Sequence, residues 1–478
     1  MSVRIPRHFR DIPGPVSRPF VGTLLEYLPV IGKYRFDTLH HNGRKKFEEY
    51  GPVVREEIVP GTNVVWIYDP EDIRELLKKE GRYPQRRSHL ALQHYRRQKP
   101  EVYNNGGLLP TNGPEWYRLR SAFQKGLSSP RTVRRYLPIV NEVIDEFTEF
   151  IRRTGPVGDF TSFLSRIFLE MLGLVAFDHR LNSFSELEMR PGSNSGRLME
   201  SAMTINSCIL KTDNGIQMWR HFDTPIYRKL SAAHEYLERV ALDLIREKQT
   251  KPQSQNEEQS ILETYLSAPE VDLKDVIGMT ADMLLAGIDT TTYSTGFALY
   301  HLARNPEKQE ILHEESRRLL PKWRTAVTPD VLDDSPYLKA TVKESFRLNP
   351  ISVGIGRILA EDAVFSNYSV PKGSVVVTQN QVISRFPQYF PEPGRFLPER
   401  WLKSNRAEIS SPYLVLPFGH GPRTCIARRL AEQNMQTLIL KLCRRFQIRW
   451  EGGDLDSRSE LINKPDSALL FSFVPRQE

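Results

Sequence analysis

One run of helical periodicity limits the choice of fold more than anything else in the chain. From Leu273 to Arg304 apolar positions recur at helical spacing, and the run stops only at Asn305-Pro306. At 1.5 Å per residue such a helix extends about 48 Å, so it crosses the whole body and the other elements must pack around it. Its middle is poor helix chemistry. Ala286-Gly287-Ile288-Asp289-Thr290-Thr291 places a glycine and consecutive threonines where a plain helix would carry stronger formers. A threonine hydroxyl that bonds back to a carbonyl opens a local groove, and an acid and an alcohol beside a groove can relay protons. The same six residues also suit a packing glycine next to a buried polar pair, so the segment alone decides nothing.

Of 478 residues, 39% are hydrophobic and 26% charged, which supplies a large core and is too much charge for a membrane-embedded bundle. Length alone suggests about three domains. The polar stretch from Lys251 to Ser260 could pass for a linker, but it reads as a surface loop within one fold, because residues on both sides of it are needed for a single site. Cys208, Cys425 and Cys443 are odd in number and fit no disulfide framework or zinc spacing. The chain therefore needs no disulfides and suits a reducing compartment.

The net charge of +8 is concentrated. Arg82, Arg86, Arg87, Arg96, Arg97 and Lys99 lie in one stretch without an acid, and Arg118, Arg120, Lys125, Arg131, Arg134 and Arg135 in another. Taking those twelve away turns +8 into −4. No nucleic-acid module accompanies the basic stretches, so an acidic protein partner or an anionic membrane surface is the expected counterpart.

Read in order, the chain starts with Arg4, Arg7 and Arg10 and the stiff turn Ile12-Pro13-Gly14-Pro15. The basic start is compatible with the end of a mitochondrial transit peptide. The apolar run from Phe20 to Ile31 is interrupted by Glu26 and Pro29 and falls short of the ~20 apolar residues of a spanning helix. Val53 to Ile58 and Asn63 to Tyr68 read as a hairpin around Pro60-Gly61, and Asp69-Pro70 starts a helix through Leu77. A glycine-rich loop leads into a helix at Glu115, on which Trp116 and Arg120 share a face. Ile139 to Ile151, Phe160 to Phe177, Tyr236 to Lys248 and Tyr337 to Leu348 have helical spacing, whereas Phe365 to Tyr368, Ser374 to Thr378 and Leu469 to Phe473 are short strand candidates. The β part is minor.

Near the end, Phe418-Gly419-His420-Gly421-Pro422-Arg423-Thr424-Cys425-Ile426-Ala427 puts a cysteine after a Gly/Pro-interrupted loop and close to a helix start. That position favours a thiolate, and the two glycines let the backbone pass close to something flat and large. Such a loop suits an axial thiolate under a haem iron, with Arg423 directed at a propionate. The spacing F-x-x-G-x-R-x-C resembles the haem-binding loop of cytochromes P450. In the order of that family, Trp116-x-x-x-Arg120, the Ala286 to Thr291 segment, Glu344-x-x-Arg347 and Pro398-Glu399-Arg400-Trp401 also resemble its motifs.

The resemblance implies the mainly α cytochrome P450 fold with small β-sheets, over residues 20–478 after a basic, Pro-rich lead of residues 1–19. It implies haem b, with Cys425 as the metal ligand and Trp116, Arg120, Arg357, Phe418 and Arg423 as cofactor-binding residues. Asp289 and Thr290 become the catalytic acid and alcohol, and Glu344, Arg347 and Arg400 a structural triad that fixes the cysteine loop. A buried ion pair survives only when each charge is fully bonded. Leu285, Ala286, Ile351, Val353 and Leu470 are expected to line the substrate pocket. Ala427 stands where the family usually has glycine, which is tolerable if its φ stays negative.

Lys339 and Lys343, four apart on one helix, resemble the docking pair by which mitochondrial members receive an acidic two-iron ferredoxin. That type works peripherally on the matrix side of the inner mitochondrial membrane. The segments Phe20 to Tyr27, His40 to Gly43, Val54 to Gly61 and Arg87 to Leu92 resemble the arthropod mitochondrial members that hydroxylate the side chain of ecdysteroid precursors at carbon 22. Expected partners are thus a ferredoxin, a steroid-like small molecule and a membrane surface, and no nucleic acid. Oxidation of a secosteroid or xenobiotic, isomerisation of a peroxide by a thiolate haem, and non-catalytic haem binding are the alternatives.

Overall fold

A computed structural model describes residues 5–155, 158–214, 217–250, 259–405 and 409–477. Of the Lys251 to Ser260 loop only Gln259 and Ser260 fall among the described residues, and Arg4 lies outside them. Helices make most of the body and share one large apolar core, which runs from Ala91 and Leu92 through Phe147, Phe168 and Phe297 to Leu438 and Phe471. A second core lies under the β region and joins Val53, Val65, Ile73, Phe365, Val376 and Leu414.

The hairpin forms as its residues require. Val53–Val59 and Thr62–Ile67 pair antiparallel with a register shift between Glu57 and Val59, and Gly61 takes φ 81° in the turn. Val375–Thr378 then adds parallel to Thr62–Ile67, and Gly356–Ile358 adds antiparallel to it, completing a four-stranded sheet. Asp69 caps the Pro70–Lys78 helix by accepting from Glu71 N–H.

Sequence reading missed several elements. The Asn194–Asn214 helix was not expected, since serines, threonines and asparagines are scattered through it; the Tyr236 to Lys248 pattern is the second half of the longer Pro225–Thr250 helix, against which it packs. The expected strand from Phe365 to Tyr368 is a turn. Ser366 and Asn367 take φ 43° and 69° and join Ala363–Phe365 to Tyr368–Val370, as a two-residue hairpin loop with both central residues left-handed requires.

The long helix is the main correction. It divides into Leu273–Ala286 and Asp289–Arg304, with Gly287 and Ile288 as a turn between them. Thr290 Oγ1 donates to Ala286 O at 2.8 Å and Thr291 Oγ1 to Gly287 O at 2.9 Å, so hydroxyls occupy carbonyls at the break. A methyl on Gly287 would stand 2.9 Å from Met283 O and 3.1 Å from the Leu172 side chain. The glycine is thus also a close-packing residue, beside the back-bonded threonines.

Candidate active site

The cysteine loop is held from three directions. Cys425 N–H donates to Phe418 O at 2.8 Å, closing the loop on itself; Arg120 Nη1 reaches Thr424 O at 2.7 Å, and Ser128 Oγ reaches Ile426 O at 2.9 Å. Gly419 and Gly421 have φ 75° and 69°, and a methyl on Gly421 would meet Glu80 Oε1 at 2.1 Å, so only glycine fits there. Ala427 has φ −98° and is the N-cap of the Arg428–Arg445 helix, so its methyl is accommodated. The Phe418 ring packs edge-on against Phe346.

Cys425 keeps accessible surface although protein surrounds it densely enough for burial to push its thiol pKa up. The Ala427 N–H and Arg120 act in the opposite direction. The helix-start position therefore does not by itself make a thiolate of this thiol. A coordinating metal ion would, because it deprotonates a ligating thiol outright.

Four arginines converge beside this loop. Arg423 donates to Pro84 O, Thr111 O and Asn112 Oδ1 and lies 3.9 Å from the centroid of the buried Trp116 ring. Its Nη1 is buried without a protein partner. Burial, and then the charges of Arg86, Arg357 and Arg120, push its pKa down to about 8, with Glu80 opposing. Arg86 is lowered to about 10, first by burial and then by Arg357. Arg357 is paired to Glu80 at 2.6 Å.

The cluster provides the test of whether haem fits. So much buried positive charge, with Glu80 as the nearby acid acting on Arg423 and an orphaned Nη1, calls for an anionic ligand. A group with two carboxylates, placed against a thiol, suits these donors. Arg86 and Glu80 were not singled out as site residues. Arg86 lay in plain view in a basic stretch, but nothing local distinguishes it from its neighbours.

Glu344, Arg347 and Arg400 come together. Glu344 and Arg347 have side chains 0% exposed and form a bidentate pair with both N–O distances 2.8 Å. Arg400 Nε lies 3.3 Å from Glu344 Oε1, and Trp401 Nε1 and Leu397 N–H also donate to this carboxylate. Arg347 spends its remaining donors on Ser384, Pro393 and Arg395 carbonyls. The pair is fully bonded, as a buried pair must be to persist. Trp401 extends the expected triad.

In the broken helix, Ala286 and Thr290 lie four apart on one face and both retain accessible surface, while most residues around them are buried. Asp289 is buried and points elsewhere: its Oδ2 accepts from Asn206 Nδ2 at 2.8 Å, and burial raises its pKa to about 7 against that bond. Of the expected pocket residues, Ile351, Val353 and Leu470 are partly buried. Leu285 is a correction, being closed inside the main core, because adjacent helix positions point about 100° apart.

The basic stretches are largely paired within the chain. Arg96 is buried against Asp282 at 2.8 Å, Lys99 and Arg118 pair with Glu238 and Asp275, and Lys125 pairs with Glu270 at the exposed surface. Arg134 of the second stretch joins other charges beside the cysteine loop. A groove of about 800 Å³ on the outer side of the cysteine loop is lined by Phe418 and Thr424, by Arg134, Lys339, Lys343, Arg428 and Arg429, and by the acids Asp333 and Glu432. Lys339 Nζ donates to Asp333 O, and Lys343 Nζ rests 4.1 Å from the centroid of Trp401.

A sequence model of the family described as Cytochrome P450 matches residues 12–470. The chain is 51% identical over 475 residues to the protein named Cytochrome P450 302a1, mitochondrial, of Drosophila melanogaster, covering 98% of this chain and 96% of that protein. It is 32% identical to Cytochrome P450 12b1, mitochondrial, of Drosophila acanthoptera, over 92% of this chain and 85% of that one. With Probable cytochrome P450 49a1 of Drosophila melanogaster the identity is 29%, over 99% and 84%.

Proposed function

Because this chain belongs to the cytochrome P450 family, and so is a haem monooxygenase of that family, we propose that it hydroxylates the side chain of an ecdysteroid precursor at carbon 22 in mitochondria, with electrons from a two-iron ferredoxin. The observation that carries the chemistry is Cys425, accessible within dense protein and set beside four convergent arginines. We assign residues 20–478 to one P450 domain after a short lead. Cys425 would hold the iron of haem b, and Arg120, Arg357, Arg423 and Trp116 would face its propionates. Bound there, haem supplies oxygen activation and insertion into a C–H bond.

The protein's own part is to position and to move protons. Asp289, which burial poises near neutrality, would be the acid of the relay and Thr290, on the open face beside Ala286, its alcohol; the acid turns toward Asn206, so the two act without a direct bond between them. An isomerase acting on a peroxide has no need of such a pair, and this favours monooxygenation. The Glu344–Arg347–Arg400 network keeps the cysteine loop in register.

Support for the substrate comes from the subfamily-like segments outside the haem motifs, and support for the mitochondrial setting from the 51% identical relative named as mitochondrial. Ala286, Ile351, Val353 and Leu470 provide apolar lining with few polar anchors, as a sterol requires. An ecdysteroid precursor of the ketodiol or ketotriol type is expected to shift the haem spectrum toward five-coordinate iron and to give one side-chain hydroxylation under ferredoxin, read by mass spectrometry. Clean turnover of a secosteroid or drug, with no binding of any such precursor, would overturn the substrate while leaving the family untouched.

We place the protein peripherally on the matrix side of the inner membrane from its resemblance to the mitochondrial members; no helix among the described residues is long and apolar enough to cross a membrane. For the electron donor, the basic groove outside the cysteine loop is the supporting feature. Replacing Lys339 and Lys343 together by glutamine should slow reduction by ferredoxin and flatten its salt dependence, since attraction between exposed charges is screened beyond about 8 Å at physiological ionic strength. Equal reduction rates at low salt for wild type and the double variant would refute this docking site.

A further inference from the structure

Asn206 gives the relay a second helix. It is buried on Asn194–Asn214, and its Nδ2 donates to Asp289 Oδ2 at 2.8 Å across 83 positions of sequence. The other carboxylate oxygen, Oδ1, is buried and has no protein partner. One oxygen of the acid is therefore pinned by a neutral amide while the other is left open.

We propose that Asn206 is a positioning residue for proton delivery: it fixes one oxygen of Asp289 so that the other remains available to the proton, and it makes delivery depend on the seat of the Asn194–Asn214 helix. The proposal rests on the reading of Asp289 as the relay acid. The amide holds the carboxyl in one orientation, with Oδ1 unpaired, without bringing a counter-charge. A cation in the same place would hold the acid ionised and leave no proton to give.

The surroundings agree. Burial raises Asp289, and the Asn206 bond is the strongest influence pulling it back; Glu460 raises it further and Lys464 lowers it, both from the hairpin that joins Ser457–Ser459 to Asn463–Pro465. Tyr293, one turn on, is itself pushed upward by burial and stays neutral. The bond is also sensitive to position. The Asn194–Asn214 helix packs on Pro225–Thr250 and on Leu273–Ala286, and a displacement of about 1 Å would stretch the 2.8 Å contact beyond hydrogen-bonding range. Whatever shifts that helix therefore also releases the acid.

The experiment compares wild type, Asn206→Leu, Asn206→Gln and Asp289→Asn as haem-loaded proteins. Two quantities are followed against pH: the rate of product formation with its loss of electrons to peroxide, and the carboxylic C=O stretch of Asp289 in infrared difference spectra, which needs no turnover. Without the amide donor the alkaline limb and the infrared titration should both move up by about one to two pH units, with peroxide loss rising several-fold. Asn206→Gln should restore part of the shift. If Asn206→Leu does not fold, Asn206→Ala carries the same test. An unmoved limb and an unmoved carboxyl band in the Leu or Ala variant, while Asp289→Asn abolishes the limb, would overturn the role of Asn206 and leave the relay standing. Retention of the limb in Asp289→Asn would remove the relay itself, and this inference with it.

Discussion

Cys425→His should bind haem but lose the red-shifted absorption band that reduced, carbon-monoxide-treated protein shows when a thiolate lies opposite the ligand, and monooxygenation should be abolished with it. A thiolate pushes electron density onto the iron and favours O–O cleavage, which imidazole does far less well. The structure favours a change confined to the ligand. The backbone of the loop is fixed by Cys425 N–H to Phe418 O, by Arg120 to Thr424 O and by Ser128 to Ile426 O, and none of these bonds uses the sulfur. Arg423, Arg120 and Arg357, the proposed propionate partners, are left unchanged by the substitution. Cys208 and Cys443 are buried apart from this loop in the main core, and Cys208→Ser and Cys443→Ser should retain the band. A wild-type spectrum of the histidine-ligated kind would contradict the assignment of Cys425.

The next largest effect belongs to the acid and the alcohol. Asp289→Asn and Thr290→Ala should each leave haem and substrate binding near wild type and slow product formation by about 10²–10⁴-fold, the usual contribution of a positioned proton donor. Thr290→Ala should in addition divert electrons to hydrogen peroxide. The pH dependence follows from the raised acid. Asp289 carries its proton below about 7 and loses it as the pH rises through that value, so wild-type turnover should fall on the alkaline side and Asp289→Asn should be flat there. The linkage to stability has the same direction. A folded-state pKa raised above the unfolded one contributes stability that is fully present below the unfolded pKa near 4 and is lost as the pH rises toward 7. Unchanged rate and coupling in both variants would remove the relay from the proposal.

Much of this protein was legible from the chain alone because the informative signals are short in sequence. Turn glycines, the cap at Asp69, the helical spacing of Trp116 with Arg120 and of Glu344 with Arg347, and the glycine-bracketed cysteine loop each depend on neighbours a few positions away. Their order along the chain was enough for the family and the mainly α fold. The threonines of the long helix also announced a defect there, although not that the helix would divide at Gly287 and Ile288.

Tertiary structure decided the rest. Whether a basic residue faces a partner or the interior is settled only when the chain meets its own acids, and so Arg96, which the sequence groups with a basic surface stretch, lies buried against Asp282. Arg86 and Arg423 acquire their meaning from two other arginines that crowd them. Leu285 and Ala286 are adjacent and both apolar, yet one is sealed in the core and the other open, since burial depends on what packs against each face. Asn206 is the clearest case: an ordinary asparagine in a helix that carries little amphipathic signal, it becomes the partner of a buried acid only because folding sets it 2.8 Å from Asp289. Local propensity acts over a turn or two of chain, whereas burial, charge compensation and the pairing of distant polar groups are properties of the folded body.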